Sequence, residues 1–144
     1  MGKYLFEKPI EMPRGRQYGS DYWLVFSNKL NRKVSLYSIY EYVAFLKFEM
    51  SYEVEYFCEQ PLKAELNIEG KKEFTVFDFW VFYRSGYSEF IEIKPSNELS
   101  GNTKEAIRSQ EQIKKQENWC KKICFIIDFL QTKTCIPENI SYKI

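Results

Sequence analysis

The chain has 144 residues, 44% of them hydrophobic and 18% aromatic, and a formal net charge of +1. That length suits one domain with a real core and leaves no room for a second full one; the near-zero charge means that any nucleic-acid contact must come from local patches. Histidine is absent, which excludes Ser-His and Cys-His catalysis and any mixed Cys/His zinc site.

No apolar run approaches the roughly 20 residues that span a bilayer, and the N-terminus carries no signal-peptide core, so a cytoplasmic location and no membrane partner are expected. Cys58, Cys120, Cys124 and Cys135 form no CxxC pair and read as free, buried thiols of a reducing compartment.

In chain order, residues 1–33 hold Pro9, Pro13, Gly15 and Gly19 with a local excess of basic side chains. This predicts an irregular basic arm with a short strand near residues 22–26, ahead of a single core over residues 34–144. Arg14 and Arg16 either grip phosphates or form a solvated patch. Leu36, Ile39, Val43, Leu46 and Met50 then recur at helical spacing, with Tyr37, Tyr40 and Phe45 on the flanks, predicting a helix over 36–50 that is apolar nearly all round. Glu41 is its only charge before residue 47. Two readings stay open: an acid near the helix start, favoured by the dipole and reaching water, or a buried carboxylate that needs a metal or hydrogen-bond donors.

Alternation over residues 52–68 predicts half-buried strands, interrupted by Pro61 at a bend and followed by a turn at Glu69 and Gly70. Two aromatic and β-branched runs, 74–83 and 87–93, flank Arg84, Ser85 and Gly86 and read as a hairpin. After Pro95 the composition turns polar. A loop at 100–102 leads into a helix from Thr103 to about Lys121 with a thin apolar seam of Ala106, Ile107, Ile113 and Trp119. Its Lys104 and Arg108 either track a phosphate backbone or belong to a solvated face. Residues 123–130, ICFIIDFL, read as a continuous apolar strand, with Asp128 inside it and no partner assigned. Helix, strands, hairpin, helix and strand in this order predict an α/β sandwich around a mixed sheet.

The hairpin carries the chemistry. A three-residue loop with Gly86 in the left-handed region sets Tyr83 opposite Tyr87, and counting back sets Asp78 opposite Glu92. Two ionised carboxylates facing one another repel, and a hard divalent cation such as Mg²⁺ is the simplest compensation. Lys94, two residues on, shares a face with Glu92 and would place an ammonium beside the ion. A solvated face or a cross-strand ion pair is the plainer alternative. The apolar company of these strands weighs against it, because buried charges demand partners.

A helix glutamate, a strand aspartate and then E-x-K resemble the PD-(D/E)XK nuclease superfamily. More narrowly, Ser38-x-x-Glu41, Val54, Glu59-Gln60-Pro61, Gly70, Asp78-Phe79 and Glu92-Ile93-Lys94-Pro95 are similar to the N-terminal catalytic domain of the TnsA endonuclease subunit of heteromeric transposases. The resemblance covers about residues 14–130. It departs at Phe77, which stands where the superfamily name expects a proline that supplies backbone shape and no ligand. The resemblance implies a restriction-endonuclease-like sandwich with helices on both faces of the sheet. It further implies Mg²⁺ or Mn²⁺ held by Glu41, Asp78, Glu92 and the Ile93 carbonyl, a water positioned by Lys94, and Gln60 near the site. The implied reaction is hydrolysis of a DNA phosphodiester at the 5′ ends of a mobile element, beside a partner transposase. Longer members carry a C-terminal domain linked to an ATPase regulator, and none is expected within these 144 residues; a stand-alone phage or repair nuclease and a non-catalytic DNA-binding protein are the rival expectations.

Overall fold

Gly86, at φ +88°, closes the hairpin on which the site is built. Its N–H donates to the Tyr83 carbonyl at 2.9 Å, and the Tyr83 N–H donates to the Tyr87 carbonyl at 2.8 Å, so the loop holds three residues as its sequence predicts. A side chain at this φ meets the left-handed penalty of about 1–2 kcal/mol. Gly86→Ala should therefore lower the melting temperature by a few degrees without moving the site, as thermal unfolding will show.

The computed structural model describes residues 2–12, 22–94, 96–129 and 141–142. The loop joins β6 (Phe79–Tyr83) to β7 (Ser88–Glu92), paired antiparallel from Phe79↔Ile91 to Phe82↔Ser88. On the other side of β6 lies β3 (Val54–Glu59), antiparallel, with a register shift between Val54 and Tyr56. Beyond β7 lies β8 (Ser141–Tyr142), parallel to it, so the sheet is mixed, in the order β3-β6-β7-β8. Two further hairpins flank it: β1 (Trp23–Ser27) with β2 (Arg32–Leu36), and β4 (Lys63–Ile68) with β5 (Lys71–Val76). Three helices complete the described chain: α1 (Ile39–Met50), α2 (Ser96–Leu99) and α3 (Lys104–Phe129). The class is α/β.

Strand alternation divides the core. Phe57, Phe79, Val81, Ile91 and Ile93 pack in one cluster with Phe45 of α1 and with Val34 and Leu36 of β2. Cys58, Trp80 and Phe90 pack in another with Phe77, Ala64 and Cys120 of α3.

Four expectations change here. The run 74–83 is not one strand: it breaks at Phe77 and Asp78, β5 going to β4 and β6 to β3. Residues 60–62 on one arm oppose only these two on the other, an excess of the kind that interrupts a ladder and bends it. The fully buried Phe77 ring stacks on Phe90 at 4.7 Å. Residues 123–129 are helix, continuing α3; no Gly or Pro stands between Lys104 and Phe129 to stop it, and an apolar run without period suits either element. The short strand expected near residues 22–26 is present as β1, and it pairs with β2, which runs across the arm boundary expected at residue 33. Finally, α1 fully buries only Glu41 and Phe45, while Ile39, Tyr40, Val43, Leu46 and Met50 stay exposed. No described helix is long and apolar enough to cross a membrane.

Candidate active site

Glu41 enters the site from the first turn of α1. Ser38 caps that helix, its Oγ accepting from the Glu41 N–H at 3.1 Å. The Glu41 carboxylate reaches back in the manner of a capping box: Oε2 accepts from the Tyr37 N–H at 2.5 Å, while Oε1 accepts from Gln60 Nε2 at 3.3 Å. Only 6% of Glu41 is exposed. Gln60 stands in the left-handed region at φ +35°, donates its N–H to the Asp78 carbonyl at 2.9 Å and accepts from the Ile10 N–H at 3.0 Å. It therefore ties the helix acid to the strand break that presents Asp78.

One further step of the β6–β7 register sets Asp78 opposite Glu92. Asp78 Oδ2 accepts from the Ile93 N–H at 2.7 Å. Burial first and Glu41 second push the Asp78 carboxyl up to about 7, against the opposing pull of the Ile93 N–H and Lys94. Glu92, 2% exposed, is pushed up to about 8 by burial and then by Asp78, opposed by Lys94 and Gln116. Lys94 Nζ lies 3.1 Å from Glu92 Oε1. These are acids that share too little water and too few cations to ionise readily.

Among the described residues, no three Asp, Glu, Cys or His side chains already stand as a cage for an ion. Each acid also accepts from N–H donors, while Asp78 and Glu41 share a side-chain hydrogen bond. Gln112 Nε2 donates to Glu92 Oε1 at 3.2 Å, and Gln116 Nε2 donates to Glu92 Oε2 and to Thr75 Oγ1, both at 3.0 Å.

A family model described as TnsA-like endonuclease N terminal matches residues 50–129, more than half of the chain, and spans Asp78, Glu92 and Lys94. The chain belongs to the TnsA-like endonuclease N-terminal family. No curated protein matches it.

In this TnsA-like domain Glu41, Asp78, Glu92 and Lys94, predicted from distant parts of the sequence, are neighbours, with Glu41 contributed from outside the matched segment. Ile93 gives its N–H to Asp78 and its side chain to the core. Arg108, Gln112 and Lys115 line a cavity of about 510 Å³ with Glu73 and Phe74, which Glu41, Asp78, Glu92 and Lys94 do not line; Arg108 is exposed, as is Lys104 one helical turn before it. Arg14 and Arg16 lie outside the described residues, as does Cys135; nothing is described of the Asp128 and Cys124 side chains. Cys58 and Cys120 are buried, and burial lifts the Cys58 thiol to about 12, making it inert.

Sequence reading missed Gln112, Gln116 and Thr75. Its apolar seam on α3 included Ile107, which is exposed, whereas among the described side chains of α3 the buried ones are Ala106, Ser109, Gln116 and Cys120. That spacing is helical, and a template that admitted polar residues would have found it.

Proposed function

We propose that this TnsA-like domain is a metal-dependent DNA endonuclease that hydrolyses phosphodiester bonds. The observation that carries the reading is the facing pair of carboxylates, half-buried Asp78 and buried Glu92, with Lys94 beside it. An apolar packing solution would not place two carboxylates together out of water, where each raises the other's cost of ionising. The donor set fits a hard divalent cation: Glu41, Asp78 and Glu92 offer carboxylate oxygens, and the Ile93 carbonyl adds a neutral one. When bound, Mg²⁺ or Mn²⁺ supplies polarisation of the scissile phosphate and a lowered pKa for the attacking water.

The chain's own residues do the rest. Asp78 is held in place by the Ile93 N–H and Glu41 by Tyr37 and Gln60, so neither acid must be ordered when substrate arrives. Lys94 keeps its ammonium next to Glu92, where it can orient a water or offset charge growing on a phosphate oxygen. Arg108 and Lys104 are suited to contact the flanking backbone of the DNA. A restriction-endonuclease-like sandwich is supported by the division of the sheet's side chains between a cluster with α1 and a cluster with α3. By family, the reading extends to cutting at the 5′ ends of a mobile element with a transposase subunit and an ATPase regulator.

Purified protein should nick supercoiled plasmid in Mg²⁺ or Mn²⁺ and stop when EDTA is added. Lys94→Ala should lower the rate by a factor on the order of 10²–10³ while circular dichroism remains native. Nicking that survives EDTA, or that is unchanged in a folded Lys94→Ala protein, would overturn the assignment. DNA binding of equal strength with and without metal, and no cleavage with any partner, would favour a binding protein of the same fold.

A further inference from the structure

Glu92 is gripped from α3 by two amides of spacing i, i+4. Gln112 and Gln116 lie on one face of the helix, one turn apart, and each takes a different oxygen of the same carboxylate. Once ionised to ligate a cation, the Glu92 carboxylate only accepts, and the nitrogen end of each amide is placed to serve that form. A carboxylate has about four acceptor positions, two on each oxygen. On Oε1 they are taken by Gln112 at 3.2 Å and Lys94 at 3.1 Å. On Oε2, Gln116 at 3.0 Å takes one, and among the described residues the other is left open.

We propose that Gln112 and Gln116 are positioning residues which fix the Glu92 carboxylate so that it offers a divalent cation one oxygen, Oε2. The inference rests on the metal-dependent reading above. Packing alone does not explain this choice of residues. Gln116 is fully buried, and its Oε1 has no donor among the described residues, a cost of about 1–3 kcal/mol that leucine or methionine in the same seam would not incur. The amide instead spans three elements, linking α3 to Thr75 of β5 and to Glu92 of β7. Groups that orient a ligating side chain in this way change metal affinity when lost, typically by 10–100-fold.

The test is Mn²⁺ titration of the full chain without DNA, followed by the electron paramagnetic resonance of free Mn²⁺. Gln112→Met and Gln116→Met keep side-chain length and remove the donors. Each should weaken Mn²⁺ binding about 10–100-fold relative to the unaltered chain, and the spectrum of the bound ion should broaden. Gln112, half-buried, carries the test if Gln116→Met does not fold. Unchanged Mn²⁺ affinity together with a lowered melting temperature would make the pair structural and overturn the proposal. Failure of the underlying reading looks different: the unaltered chain would then bind no Mn²⁺ saturably, or Asp78→Ala would bind it equally well, and the proposal falls with it.

Discussion

Asp78→Asn is expected to abolish Mg²⁺-dependent nicking, by a factor on the order of 10³ or more, and yet to raise the melting temperature of the metal-free chain at pH 8. The two effects share one cause. Asp78 stands half-buried between Glu41 and Glu92, and its ionisation is opposed by desolvation and by Glu41. An asparagine keeps the contact with the Ile93 N–H through its amide oxygen and turns a donor toward the neighbouring acids. Repulsion then becomes attraction, and the fold gains what the site loses, as expected where a site is held at the expense of stability. Both arms are measurable on one preparation, by plasmid nicking and by thermal unfolding in EDTA. Loss of nicking with a lower melting temperature would mean that Asp78 holds the strand break together and bears no strain. Undiminished nicking would remove Asp78 from the site.

How far this arrangement is legible in the sequence depends on the range of the forces involved. The hairpin register follows from three residues, Arg84, Ser85 and Gly86, because a left-handed glycine and the pleat propagate a local geometry along both strands. The facing of Asp78 and Glu92 follows with it. The break beside Asp78 does not, since alternation continues through Phe77; its only local sign is Pro61, on the opposing arm. Residues 123–129 mislead for a related reason. Ile, Cys and Phe in an unbroken run carry no period, and it is the helix already running from Lys104 that decides their state. Gln116 is the hardest case. A fully buried glutamine makes sense only once Thr75 and Glu92, 41 and 24 residues away, are seen to accept from it. Contacts that license a buried polar side chain are made by tertiary structure, and no window on α3 contains them.

The metal-free chain should lose stability as pH rises from about 4 to 8, and divalent metal should restore it at the alkaline end. In the unfolded chain Asp78 and Glu92 give up their protons near the ordinary values of 3.8 and 4.5; in the folded chain they hold them to about 7 and about 8. Over that window the folded state binds more protons than the unfolded one, so raising pH favours unfolding. Below the lower values both states are protonated and the penalty vanishes; above the upper ones it is complete and flat. The loss comes first from burial of both carboxyls, with Glu41 adding to the Asp78 shift and Asp78 to that of Glu92. Mn²⁺ binds the ionised acids and so must displace protons at pH 5 but few at pH 8. At 100 times its dissociation constant it would return about 2.7 kcal/mol. Melting curves at pH 5 and pH 8, each with Mn²⁺ or EDTA, should therefore show a metal-induced rise that is large at pH 8 and small at pH 5. Asp78→Asn combined with Glu92→Gln should flatten both dependences, because neither side chain can then ionise. A pH slope that survives in that double variant would place its source in other acids, and a metal response of equal size at both pH values would mean that the cation binds elsewhere.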